Sequence, residues 1–197
     1  MLRADLFAIE RWITPNTQVL DLGCGDGALL DYLQQHKQVR GYGLEIDAQN
    51  IERCISRGVN VIEQNLDEGL SNFARDQFDT VIMTQALQAV KNPQLLLQEM
   101  MRIAQRGIIT FPNFAYWRIR WQLLVNGRMP MSKSLPYHWY DTPNIHLCTF
   151  HDFEDLCRQL KLRVLNRRVV DNRYQRDGLN RLWPNFWGEI ALYHVSR

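Results

Sequence analysis

Cysteine is scarce and scattered in this 197-residue chain: Cys24, Cys54, Cys148 and Cys157 form no C-x-x-C pair. That spacing speaks against a cysteine zinc site, and nothing in the chain calls for an oxidising compartment, so no disulfide framework is expected. The five histidines, His36, His138, His146, His151 and His194, make no H-E-x-x-H and no tight ligand cluster. Hydrogen-bonded or solvated imidazoles are expected there, and no metal site. Long apolar runs are missing too: none reaches the roughly eighteen residues that a membrane-spanning helix needs. The opening MLRADLFAIERWI carries charges at Arg3, Asp5, Glu10 and Arg11 where a signal peptide would have an unbroken apolar core. A cytoplasmic location without a membrane partner is the expectation. Repeats, low-complexity tracts and Pro/Gly/Ser linkers are also lacking, and 46% of the residues are hydrophobic, so one domain over residues 1–197 is expected.

Charge is nearly balanced at +2, but the first hundred residues sum to −6 and the remainder to +8. Such asymmetry can mark a surface for an anionic ligand or partner. The basic residues are dispersed, with no block of five or more, so a solvated basic face is expected and nucleic acid is not.

Over the first 110 residues β-like apolar runs alternate with helical spacing, which predicts βαβ units and a mainly parallel sheet. Leu2, Leu6, Ile9, Trp12 and Ile13 have the spacing of a leading helix before Thr14-Pro15-Asn16. Strands are expected at 18–22, 41–45, 59–63, 78–83 and 107–111, and helices at 28–36, 48–57 and 93–104, the last started by Pro93. Residues 114–125 read as a further helix, ending at Asn126-Gly127 as a C-cap. Residues 128–150 differ: Pro130, Pro136 and Pro143 stand among Tyr137, His138, Trp139, Tyr140 and His146, as in an ordered insert. A helix over 152–160 and strands over 163–170 and 189–195, with a loop over 178–188, complete the pattern. The expected class is α/β, doubly wound, with a mainly parallel seven-stranded sheet whose two late strands are joined by a connection that returns antiparallel.

The chemistry concentrates at two strand ends. The first strand runs into Asp21-Leu22-Gly23-Cys24-Gly25-Asp26-Gly27, at the carboxyl edge where doubly wound sheets bind ligands. Gly23 and Gly25 permit a tight turn and backbone approach to a ligand, and Asp21 can meet a cationic ammonium. The spacing is G-x-G-x-G, whereas a dinucleotide pyrophosphate cradle usually shows G-x-G-x-x-G. The second strand ends at Glu45, about 20 residues beyond the first glycines, where an acidic side chain can accept both hydroxyls of a ribose. Taken together these signals point to an adenosine-containing cofactor. Taken singly, the glycines make a βα turn, and Asp47 is read as a helix cap.

These residues resemble motif I and the following acidic motif of class I S-adenosylmethionine-dependent methyltransferases, over roughly residues 2–111. The resemblance implies that Asp21, Gly23 and Gly25 surround the methionyl part of S-adenosylmethionine, or of S-adenosylhomocysteine, and that Glu45 holds the ribose. Asn65 and Leu66, after the third strand, would contact adenine. Asn65 stands where many members carry Asp, and its amide oxygen can still accept. Phe78-Asp79-Thr80-Val81-Ile82 resembles the next motif, followed by the helix-side Gln85-Ala86-Leu87-Gln88-Ala89-Val90. Ala89 stands near where many small-molecule members have histidine, there is no N-P-P-Y-type motif, and no residue is assigned as general base. Gln85 and Gln88 are either polar groups near the pocket or solvated helix residues.

A narrower resemblance covers nearly the whole chain. Asn65 to Leu70, Gln85 to Ala89, Thr110 to Phe114 and above all Leu135 to His146 are similar to the methionine-biosynthesis protein MetW family. Membership implies a cytoplasmic bacterial protein that works with homoserine O-acyltransferase, as an accessory or regulatory partner binding S-adenosylmethionine. The alternative is a genuine methyltransferase acting on a small molecule. Tyr137, Trp139 and Tyr140, on proline-restricted backbone, offer contact area either for that partner or as a lid packed on the sheet.

Overall fold

Along the strands, apolar side chains alternate between two buried faces, the pattern of a sheet covered on both sides. The computed structural model describes residues 4–132, 134–170 and 182–197. Seven strands lie in one sheet: β1 (Gln18–Leu22), β2 (Arg40–Glu45), β3 (Asn60–Glu63), β4 (Phe78–Thr84), β5 (Ala104–Pro112), β6 (Arg163–Val170) and β7 (Ile190–Ser196). Their order is β3-β2-β1-β4-β5-β7-β6. Parallel pairing holds from β3 to β5, and β7 runs antiparallel to both β5 and β6. This is the α/β class I methyltransferase architecture that the sequence predicts.

Helices α1 (Ala4–Glu10), α2 (Ala28–Lys37) and α3 (Ala48–Ser56) serve one layer; α4 (Pro93–Ile103), α5 (Trp117–Asn126), α6 (Phe150–Gln159) and the short α7 (Pro184–Trp187) follow later in the chain. On one face Val19, Ile82, Ile108 and Leu192 pack with Ile9, Leu30 and Leu33. On the other, Leu20, Leu22, Met83 and Phe111 pack with Leu97, Met100, Phe150 and Phe153. Each fully buried side chain of this size contributes about 1.5–3 kcal/mol relative to leaving it in water. Among the described residues no helix is long and apolar enough to cross a membrane.

Boundaries depart from the sequence expectation where a side chain intervenes. β1 and β6 match it, while β5 starts at Ala104 because α4 stops at Ile103 and the chain passes straight into the sheet. α5 begins at Trp117, three residues later than expected. Asn113 is the cause: its Oδ1 accepts from Ala115 N at 3.0 Å and its Nδ2 donates to the Gly188 carbonyl at 2.7 Å, holding the intervening residues in a turn. α6 begins at Phe150, ahead of Asp152, because Thr149 and Asp152 form a reciprocal capping box. Gly127, left-handed at φ 59°, caps α5 as expected. The expected loop over 178–188 ends in α7, and its residues 178–181 lie outside the described residues, as does Leu2 of the leading helix.

Strand order reverses between β1 and β4, so the chain leaves their carboxyl ends in opposite directions and opens a crevice there. The loops after β1, β2, β3 and β4 surround that crevice.

Candidate functional site

Backbone hydrogen bonds set the spacing of these loops. Gly23 and Cys24 both donate to the Leu44 carbonyl, at 2.9 and 3.0 Å, clipping the loop after β1 to the end of β2. Gly23 has φ +71°, and a Cβ there would stand 3.3 Å from the Ala86 Cβ, so glycine lets the loops after β1 and β4 approach. Gly25, at φ +56°, would carry its Cβ into open space with no atom within 4 Å. A left-handed residue facing open space suits backbone approach by a ligand.

Glu45 ends β2 and organises the edge. Its Oε2 accepts from Gly25 N at 2.8 Å, and its Oε1 accepts from Ile46 N and Asp47 N at 2.8 and 3.0 Å. A carboxylate has about four lone-pair sites. Three are used by backbone, so one further donor fits on Oε2 while the Gly25 bond is kept. Asp47 caps α3 as the sequence suggests, accepting from Asn50 N at 2.9 Å.

Asp21 is buried within β1 between its register partners Gly43 of β2 and Ile82 of β4. Burial, and then the nearby Asp21 carboxylate, push the Cys24 thiol well above its ordinary range. Cys54, with Sγ 3.8 Å from that of Cys24, is raised chiefly by burial as well. Both are protonated packing groups at neutral pH, without the thiolate character of a nucleophile.

Asn65 and Leu66 lie one strand further out. Gln64 N donates to the Glu45 carbonyl at 3.0 Å, which aligns the loop after β3 with that after β2. Asn65 Oδ1 accepts from Asp67 N at 3.0 Å and caps the 3-10 turn Leu66–Glu68. The oxygen that the sequence offered to adenine is thus engaged within the chain, and the amide N–H donors are the part outside that cap. Leu66 is half-buried against the core. Asp67 then reaches across to the loop after β4, accepting from Lys91 N at 2.7 Å.

That loop corrects the sequence reading. Gln85 to Val90 form turns and not a helix, because Gln85 is left-handed at φ 54° and its N–H donates to the Thr110 carbonyl at 2.9 Å. Gln88 is 1% exposed, so it is no solvated helix residue. Among the described residues neither its Oε1 nor its Nε2 has a hydrogen-bond partner. Its backbone carbonyl accepts from Ile145 N and His146 N at 2.9 and 3.0 Å, strapping the proline-rich insert to the loop. No sequence pattern signals this burial, since a glutamine in a turn ordinarily reads as solvated.

The structure therefore brings Asp21, Gly23, Gly25 and Glu45 to one edge, with Asn65 and Leu66 beside them and Gln88 beneath the insert. A separate cleft of about 250 Å³ lies at the opposite, amino-terminal edge, lined by Arg75, Met101, Arg102, Leu160 and Arg197. Its cations are tied off: Arg102 binds Glu99 and the Leu70 and Phe73 carbonyls, and Arg197 pairs with Asp76.

Solved structures share this architecture. A SAM-dependent methyltransferase from Archaeoglobus fulgidus superposes with a TM-score of 0.72 at 15% identity, over 98% of this chain and 92% of that one. The [4+2]-cyclase SpnF superposes with a TM-score of 0.67 at 15% identity, over 98% of this chain and 79% of that one. At such identities the likeness establishes the fold. Sequence carries further: a bifunctional methionine biosynthesis protein MetXA/MetW from Rhodopirellula baltica is 38% identical over 177 residues, 85% of this chain. The chain spans 28% of the length of that relative. The model of the family described as methionine biosynthesis protein MetW matches residues 3–195, so with the insert and both strand-end motifs inside the match, the chain belongs to the MetW family.

Proposed function

We propose that this protein is a cytoplasmic, single-domain accessory of methionine biosynthesis that binds S-adenosylmethionine and supports or modulates homoserine O-acyltransferase. The observation that carries the partner is the relative in which MetXA and MetW are parts of one polypeptide; we take its MetXA part to be the acyltransferase. Parts of one chain meet at high effective concentration, which favours components that act together.

The cofactor reading rests on the carboxyl edge. Gly25 opens on free space, and the one acceptor site left on Glu45 suits a ribose hydroxyl. Asp21 supplies negative charge for the methionyl ammonium, Gly23 and Gly25 the backbone approach, and Asn65 with Leu66 the adenine side. When bound, the sulfonium supplies an activated methyl group. The chain's own residues hold and orient it, and fold alone does not establish turnover.

The insert from Leu135 to His146 is a candidate contact for the acyltransferase. Trp139 is 73% exposed and packs edge-on against Tyr140, while the far end of the segment is strapped to Gln88. A second reading, methyl transfer to a small molecule, is favoured by Gln88 itself. A buried amide in the loop after β4, with no partner among the described residues, suits a polar acceptor molecule, aligned for in-line displacement.

Calorimetry with S-adenosylmethionine and S-adenosylhomocysteine tests the cofactor site. Copurification with the acyltransferase, assayed with and without this protein and the cofactor, tests the accessory role. An altered acyl-transfer rate without a methylated product supports it; an unchanged rate together with product methylation by the isolated chain favours the methyltransferase.

A further inference from the structure

Helix α5 wears its apolar stripe on the outside. Trp117, Trp121, Leu124 and Val125 fall at i, i+4, i+7 and i+8, one face of a helix. The helix's buried residue, Ile119, is on the opposite side. Leu124 is 78% exposed, Trp121 61% and Val125 58%. The surface does not end with the helix: Trp117 packs edge-on against Trp187 of α7 at 6.0 Å, and Trp183, just before α7, is 70% exposed. Arg118 lies over the Trp117 ring at 5.3 Å and Arg120 over Phe186 at 5.6 Å, so cations rim the patch. Exposed tryptophan with flanking arginine is the composition of interface anchors, and an apolar patch left in water marks an interaction surface.

We propose that this α5–α7 surface docks the acyltransferase through an apolar groove edged with carboxylates. The proposal rests on the accessory reading above and adds a second contact to the insert. Residues 113–132, which lead into α5, form it and follow it, contain no Asp or Glu but include Arg118, Arg120 and Arg128. In a two-fold dimer the same patch would face itself and set arginine against arginine, so a second copy is disfavoured. An acidic rim is what complements it. The patch is also built by two elements locked by ring contacts, a shaped surface that fits a folded protein better than a lipid interface. The fused relative carries a MetXA part on its own chain, which makes that part the occupant of choice.

The test uses the full chain and the separately purified acyltransferase. Trp121→Ala and Leu124→Ala should each weaken association roughly tenfold or more, with melting temperature and cofactor-induced thermal shift unchanged. Arg118→Glu serves as an independent variant, because it leaves the apolar stripe intact and should weaken association most at low salt. Wild-type association that survives in all three folded variants overturns this surface while leaving the accessory reading in place. No association of the wild type overturns both. Sedimentation showing a homodimer that Leu124→Ala dissociates assigns the face to a second copy and overturns the proposal. Binding to phosphatidylserine vesicles that is lost in Trp121→Ala assigns it to lipid and overturns it equally.

Discussion

Two regions of the molecule use apolar residues in opposite ways. From β1 to β5 most large apolar side chains point into two buried layers, with Ile46, Ile55 and Leu95 among the scattered exceptions, and polar groups gather at the carboxyl edge. From the end of β5 to α7, Trp121, Leu124, Trp139, Leu182 and Trp183 stand in water, while a polar residue, Asn113, is fully buried as a brace. In the first region hydrophobicity builds the fold. In the second it exceeds what the fold consumes, and the surplus is surface for something else.

The largest expected effect separates the two uses. Phe111 is buried among Phe150, Phe153 and Tyr193, so Phe111→Ala should cost about 3–5 kcal/mol of stability. Leu124→Ala should change stability by no more than about 0.5 kcal/mol. Denaturant unfolding of both variants checks this, and a comparable loss in each would mean that α5 is packed after all.

A second comparison sits within the polar edge. Glu45→Ala removes the acceptor of three backbone N–H groups and should weaken cofactor binding by about 1.5–3 kcal/mol. Calorimetry giving wild-type affinity would reject the ribose role. Gln88 behaves in the reverse sense. Its amide is buried without a partner among the described residues, so Gln88→Met should raise the stability of the ligand-free protein by about 1–3 kcal/mol. A fall of that size would show that an ordered water or unseen group already satisfies the amide.

Much of the first region was legible because period-two strands and period-3.6 helices were bounded by Gly, Pro and Asp at the expected places. The glycine loop and Glu45 could be read from their position at strand ends. What escaped was tertiary. The Asn113 brace delays α5, the left-handed Gln85 turns a helix-like stretch into a loop, and Asn65 spends its oxygen on its own turn. Periodicity located α5 but not its orientation, because a stripe of Trp117, Trp121 and Leu124 has the same spacing whether it faces the core or the solvent.

The smallest expected effect probes the seam between the two regions, at the polar end of the β5–β7 pair. His194 faces Ile108 across that pair, stacks on Trp12 at 5.3 Å and is nearly buried, with no hydrogen-bond partner for either ring nitrogen among the described residues. Burial, and then the Arg106 charge, lower its pKa from the ordinary 6.5; Arg168, which also lies over the Trp12 ring, adds no countercharge. A histidine that resists protonation in the folded state takes up its proton more readily when unfolded. Below pH 6.5 the unfolded chain therefore binds more protons, and stability falls with pH until the lowered native pKa is passed. One proton limits the slope to about 1.4 kcal/mol per pH unit. His194→Phe should flatten the stability profile between pH 6.5 and that lower limit while keeping the stack on Trp12. Unfolding free energies measured across this window in both proteins decide the matter: parallel profiles would place the acid sensitivity elsewhere, and a flat profile in the variant alone would locate it in the ring on β7.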